Sequence, residues 1–271
     1  MTFSTHDLSP RIGTEIRSDI DTLLSGKYAA EIRDILEQRG VVVFKKINMT
    51  DEQQLAFTAT LGQVIDEGEE GVYKVTLDTK ENPHADYLKG AFFWHIDGTT
   101  LDVPILASIL SAKRLSETGG DTEFSNTYDA YDELSDEDKA AYDKLKVVHS
   151  LENAQQYVHP EPSYEMMKMW RGMPSNTLPL VWKHKSGRNS LVLGATAAYV
   201  EGMEFQEGRE LLVKLRDYAT QPKFVHRHQW DVGDLVIWDN TGTMHRATPY
   251  PLDSGRMMHR TKLAGEESFN G

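Results

Sequence analysis

The chain contains no cysteine. That excludes a disulfide framework, a thiolate nucleophile and every thiolate-held cluster, so a metal ion here would have to be held by His, Asp, Glu or water. No apolar run approaches the length needed to cross a bilayer. The opening Met1-Thr2-Phe3-Ser4-Thr5-His6-Asp7 lacks a basic region followed by an apolar stretch, and a cytoplasmic protein is the expectation. Basic residues are scarce: 29 Lys and Arg stand against 42 Asp and Glu, for a formal net charge of −13. Such a surface repels phosphates, so neither nucleic acid nor an anionic membrane is expected as a partner, and an anionic substrate would need a local cationic pocket. Internal repeats and low-complexity linkers are also missing. Residues 1–271 therefore read as one domain.

What is present is a succession of short β-rich segments: 105–111, 147–149, 180–183, 191–193, 223–230, 235–238, 243–247 and 257–263. Turn signals such as Lys185-Ser186-Gly187-Arg188 and Val232-Gly233-Asp234 separate them, which predicts a mainly β protein with peripheral helices, a double-stranded β-helix or jelly roll. Val41 to Phe44 reads as a buried strand. Helices are expected over 28–38, over 55–61 behind a Thr50/Gln53 capping box, over 140–145 behind Ser135, and over 207–218 with Leu211, Leu212 and Leu215 inward.

Chemistry concentrates in four residues. Trp94-His95-Ile96-Asp97 places an imidazole and a carboxylate two positions apart, the spacing that puts both on one face of a strand. Trp238-Asp239-Asn240-Thr241-Gly242-Thr243-Met244-His245 supplies a second imidazole. Two His and one carboxylate form the ligand set of non-haem Fe(II) oxygenases, which leaves coordination positions open. Arg256 follows His245 at a distance suited to the return strand of a hairpin, and its planar fork suits a carboxylate.

The segments Ala112 to Thr122 (with Gly119-Gly120-Asp121-Thr122) and Gly233 to Asn240 extend this pattern. With Leu8 to Gly13, Val41 to Phe44 and Arg256 to Arg260, they make the whole chain resemble the taurine/2,4-dichlorophenoxyacetate dioxygenase family. The run from Gly194 to His228, with Val200-Glu201-Gly202-Met203 and Ala219-Thr220-Gln221, is most similar to the 2,4-dichlorophenoxyacetate branch. The resemblance implies Fe(II) held by His95, Asp97 and His245, with 2-oxoglutarate as cosubstrate and O2 as oxidant. It implies that Arg256 and Thr122 bind the distal carboxylate of 2-oxoglutarate. Arg260 and Lys74 stand where relatives carry substrate-facing cations, and Tyr73 is an equal candidate for a pocket wall. An Asp at position 97, where halogenating relatives have a small residue, implies hydroxylation, with desaturation left open. The implied substrate is a small organic acid with an apolar or aromatic body, and relatives of this kind often self-associate as homo-oligomers.

Plainer roles compete for several residues. Asp239 and Asn240 suit a turn before His245, and His226 and His228 suit a strand face better than a metal pair. Glu67, Glu69 and Glu70 read as a solvated loop. The Met- and aromatic-rich stretch within 151–177 is either an irregular packing insertion or a lid over an apolar substrate. The alternatives for the whole protein are the same chemistry on a sulfonate or other metabolite, a non-catalytic jelly roll that binds 2-oxoglutarate or metal, and a zinc hydrolase. The last has no use for Arg256 and Thr122.

Overall fold

The protein is described by a computed structural model over residues 3–67 and 71–269, so Glu69 and Glu70 lie outside the described residues. A large sheet runs in the spatial order Ser4–Asp7, Thr14–Arg17, Val41–Phe44, Leu235–Asp239, Ala107–Arg114, Met257–Leu263 and Val64–Ile65, and Tyr73–Val75 also pairs with Met257–Leu263. A smaller sheet places Thr122–Asn126 between Val225–His228 and Thr243–Ala247.

The strand Val41–Phe44 shows how the layers form. Four consecutive apolar residues bury both faces of a strand at once. Val42 and Phe44 pack with Ile32, Leu36 and Phe57 from the helices Ala29–Arg39 and Asp51–Leu61, while Val41 and Val43 face the smaller sheet. The second helix starts at the anticipated capping box, with Thr50 Oγ1 and the Gln53 side chain each accepting from the other's backbone N–H. Between the sheets, Phe124 meets Trp238 with ring centroids 5.7 Å apart. Beyond the smaller sheet, Met244 enters a third core with Trp182, Leu178 and Leu215, the last from the helix Phe205–Ala219.

The strands Thr243–Ala247 and Met257–Leu263 lie where the sequence predicts them. The structure is nonetheless a mixture of helix and strand, richer in helix than a mainly β expectation. The stretch 151–177 folds as two helices, Leu151–Val158 and Tyr164–Arg171, followed by the strand Asn176–Pro179. Among the described residues no helix is long and apolar enough to cross a membrane.

Three imidazoles packed within these layers are hard to protonate. Burial pushes His149 down to about 3 and His184 and His226 to about 4. In the unfolded chain each takes up a proton near pH 6.5, so below that pH the unfolded state binds more protons and stability falls. Asp239 opposes them, because burial raises its carboxyl to about 6 and the folded state binds the extra proton between pH 6 and 4. With His245, which burial lowers to about 3 in the same way, four groups stand against one and leave a net loss. Thermal unfolding should therefore shift to lower temperature as pH drops from 6.5 to 4.5, at about 1.4 kcal/mol per pH unit for each net proton. The His149→Phe variant should flatten that dependence.

Candidate functional site

His95 and His245 are joined through their backbones before their side chains are considered. The His95 N–H donates to the His245 carbonyl at 3.0 Å, and the His245 N–H donates back at 2.9 Å. This is an isolated bridge and not the strand anticipated for Trp94 to Asp97. A 3-10 turn over Lys89–Phe92 precedes it and a turn begins at Asp97, which leaves room for a single pairing residue. Gly194 makes the approach possible. At φ +115° it presses against this segment, where a Cβ would lie 2.9 Å from His95 Cα and from the Trp94 carbonyl.

The bridge stacks the two imidazoles 4.1 Å apart and leaves Asp97 between their Nε2 atoms, 3.7 Å from His95 and 3.9 Å from His245. These spans are within the sum of two ligand bonds of about 2.1 Å. The three donors lie close enough together to hold one metal ion. Protonation also suits a metal. His95 Nδ1 lies 2.8 Å from the Phe93 carbonyl, which only accepts, so that nitrogen carries the proton and Nε2 offers its lone pair. Burial pushes His245 down to about 3 and keeps it neutral. Burial alone would raise Asp97, but nearby positive charge, that of Arg260 and Lys262 included, holds its carboxyl below the usual range.

A relay outside the group orients Asp97. Trp238 Nε1 donates to Asn240 Oδ1 at 3.0 Å, Asn240 Nδ2 donates to Ser108 Oγ at 3.2 Å, and Ser108 Oγ donates to Asp97 Oδ2 at 2.9 Å. The same Trp238 ring packs 4.7 Å from His245. Asp239 caps the turn by accepting from Thr241 N at 2.8 Å. Ser108 and the role of Asn240 were not visible in the sequence, since nothing local marks them.

Arg256 reaches the site by another route than a hairpin. Thr243–Ala247 belongs to the small sheet and Met257–Leu263 to the large one, so the connection crosses between sheets. The guanidinium is 4% exposed, donates from Nη2 to the Gly120 carbonyl at 3.1 Å and lies 4.8 Å from the Tyr250 ring centroid. Gly120, at φ +79°, grants this space, because a Cβ would stand 3.0 Å from Arg256 Nε. That Nε is buried without a partner, and no carboxylate pairs with Arg256 among the described residues. Burial lowers its pKa, as expected of a cation lacking a counterion. Thr122, nearby in the chain, is also buried, and its Oγ1 accepts from Trp230 Nε1 at 3.0 Å.

The strand Met257–Leu263 divides the remaining candidates. His259 and Thr261 face the helix Asp51–Leu61, where His259 meets Asp51 and Thr261 meets Thr58. Met258 faces the intersheet core, and Arg260 and Lys262 alternate with it onto that inner side. Tyr73 joins them, with Arg260 4.9 Å from its ring centroid. Lys74 is paired with His259, alternates onto the opposite side and is exposed, so the fold does not bring it to the group. Glu67 is not a solvated loop residue. It holds Arg260 at 3.1 Å and Lys262 at 2.7 Å. Tyr87 is 55% exposed, yet its hydroxyl side is crowded enough that burial, and then Asp97, raise its pKa.

Other histidines stay apart from the group. His228 pairs with buried Asp234 at 3.0 Å, and His226 packs against Gly13. A cavity of about 260 Å³ behind His95, lined by Phe93, Trp94, Tyr157, Arg216 and Arg246, contains none of the three donors. His95 and Asp97 keep 20% and 16% of their side chains exposed, so the group is reachable from solvent.

Comparison with known proteins agrees with this geometry. Residues 4–262 match the profile described as taurine catabolism dioxygenase TauD, TfdA family. The chain is 33% identical to an alpha-ketoglutarate-dependent 2,4-dichlorophenoxyacetate dioxygenase of Burkholderia sp. (strain RASC), covering 87% of this chain and 86% of that one. It is also 33% identical to an (S)-phenoxypropionate/alpha-ketoglutarate-dioxygenase of Sphingobium herbicidovorans, covering 83% and 82%. Among solved structures, AAD-2 in complex with Mn(II) and N-oxalylglycine superposes with a TM-score of 0.86 at 34% identity, over 99% of this chain and 100% of that one.

A buried guanidinium with no carboxylate paired to it among the described residues is destabilising. Replacing it with an apolar side chain of similar length should remove that cost. Arg256→Met is expected to raise the thermal midpoint of the ligand-free protein by the equivalent of about 1–3 kcal/mol, and to remove the further rise that 2-oxoglutarate gives the wild type. Scanning calorimetry with and without 2-oxoglutarate reads both.

Proposed function

The chain belongs to the taurine catabolism dioxygenase TauD, TfdA family, and from that membership we propose that its substrate is a small aryloxyalkanoate-like acid hydroxylated beside its carboxylate. The protein is an Fe(II)- and 2-oxoglutarate-dependent dioxygenase that uses O2. In this proposal His95, Asp97 and His245 hold the iron. Support comes from two imidazoles and a carboxylate converging from separate segments, with His245 kept neutral by burial and His95 Nδ1 directed at a carbonyl so that its Nε2 faces the group.

Arg256 and Thr122 receive the distal carboxylate of 2-oxoglutarate. The observation that carries this assignment is the buried Arg256 guanidinium with an unpartnered Nε and no acidic partner among the described residues. A carboxylate would supply the missing charge in bidentate form. Thr122 complements it: with its oxygen already accepting from Trp230, its own proton is left to donate.

Bound at such a site, Fe(II) with 2-oxoglutarate and O2 supplies oxidative decarboxylation to succinate and CO2 and inserts the other oxygen atom into a substrate C–H bond. The chain's own task is to present that bond. Arg260 on the inner face anchors the substrate carboxylate, with Tyr73 and Tyr87 beside the aryl body. If the hydroxylated carbon bears an aryl ether oxygen, the hemiacetal collapses by C–O cleavage to a phenol and a 2-oxo acid.

The two facing sheets are read as a double-stranded β-helix forming one domain, with 151–177 as its lid. Two contacts support the lid: Tyr157 packs 5.1 Å from Phe93, and His159 meets Asp86 at 2.9 Å. Both partners lie on the stretch leading to His95. Tyr164, Met169 and Met173 remain exposed on the same segment.

Three results are expected. His245→Ala should lose stoichiometric Fe(II) and iron-dependent succinate formation while keeping its circular dichroism, and near-normal iron content would remove it from the ligand set. Arg256→Ala should raise the apparent constant for 2-oxoglutarate by roughly a hundredfold or more, from about 3–5 kcal/mol for truncating one side of a buried charge pair. An aryloxyacetate should release phenol far faster than its neutral amide, and equal rates, or turnover confined to sulfonates, would count against the carboxylate anchor.

A further inference from the structure

Arg260 and Lys262 stand on alternate positions of one strand, with side chains only 17% and 13% exposed, and share a single carboxylate. Glu67 Oε1 accepts from Arg260 Nε at 3.1 Å, Glu67 Oε2 accepts from Arg260 Nη2 at 3.3 Å, and the same Oε2 lies 2.7 Å from Lys262 Nζ. The cross-strand neighbour of Lys262 is Ser108, whose hydroxyl holds Asp97. The cations therefore border the His95, Asp97 and His245 group. Two positive charges against one negative leave one unspent. Glu67 arrives from the adjoining strand Val64–Ile65, whose Ile65 is paired with Lys262.

The geometry points to Lys262 as a substrate-carboxylate contact, alongside Arg260, and to Glu67 as an internal carboxylate that the substrate's own carboxylate replaces. The inference rests on the substrate class proposed above. A guanidinium and an ammonium held on one acid form a seat already shaped for a carboxylate, and an incoming acid regains the charge-assisted hydrogen bonds that Glu67 gives up. Glu67 therefore taxes every ligand that uses the seat, and the tax falls only on acids. An uncharged analogue of the same shape offers nothing to exchange for Glu67 and leaves the triad intact. Lys262 becomes a determinant of preference for acids, which a purely structural lysine would not be.

Calorimetry on the protein loaded with Mn(II) and N-oxalylglycine, where no turnover occurs, tests this with phenoxyacetate, phenoxyacetamide and hexanoate as probes. Glu67→Gln should tighten phenoxyacetate, and Lys262→Met should weaken it, each on the order of tenfold. Neither should move the amide by a comparable factor. Opposite shifts from two substitutions of one ion-paired cluster cannot both arise from misfolding. Weaker or unchanged acid binding in Glu67→Gln, or equal losses for acid and amide in Lys262→Met, overturns the proposal. Hexanoate separates it from the substrate class. If the wild type binds hexanoate but not phenoxyacetate, and Glu67→Gln tightens hexanoate, the aryloxy assignment falls and the seat stands; if it binds neither, both fall.

Discussion

The site depends on two backbone hydrogen bonds, those that His95 and His245 exchange. They tie a turn-flanked segment to the edge of the smaller sheet and fix both imidazoles before any side-chain preference acts. A helix or an isolated strand could align His95 with Asp97, but only pairing between distant segments sets the third donor beside them. The close approach of Gly194 and the Trp238–Asn240–Ser108 relay both serve this pairing, one by allowing the backbones to meet and the other by turning Asp97 toward them.

Charge is distributed with equal economy. The chain is acidic as a whole, with a net charge of −13, yet Arg256, Arg260 and Lys262 all lie on or just before one inner strand. Among the described residues no carboxylate is paired with Arg256, whereas Arg260 and Lys262 share Glu67. An overall negative surface repels anions at long range within a Debye length or so. In the proposed binding mode, selection among them falls to these few desolvated cations, where screening is weak.

Much of this was legible in the sequence, and the exceptions are instructive. His95, Asp97 and His245 stood out because their side-chain types have few joint uses, and they do converge. The two strands that follow them alternate clearly enough to be bounded. Thr122–Asn126 was not anticipated as a strand, because Phe124 is its one large apolar residue and its conformation comes from neighbours pairing on both edges. The family resemblance groups Lys74 with Arg260, but its cross-strand pairing with His259 sends it to the opposite face. The two-residue period of a strand, counted onward from Arg260, would have found Lys262. Ser108 could not have been found, since a serine within an apolar strand carries no mark until its partner is known.

Arg256 and Arg260 are four residues apart across a strand that is irregular between Met257 and Met258, so at about 3.3 Å per residue their backbones lie at most roughly 13 Å apart. Side chains flex at their tips, but a sheet strand paired on both sides does not stretch. The interval therefore acts as a ruler. If Arg256 takes the cosubstrate and Arg260 the substrate acid, as proposed above, the second end fixes how far from the metal a ligand's acid group can sit, and so which of its carbon atoms faces the chemistry. Lengthening a ligand by one methylene would move the exposed bond rather than merely weaken its grip, so a homologous series of acids should change in regiochemistry as well as rate.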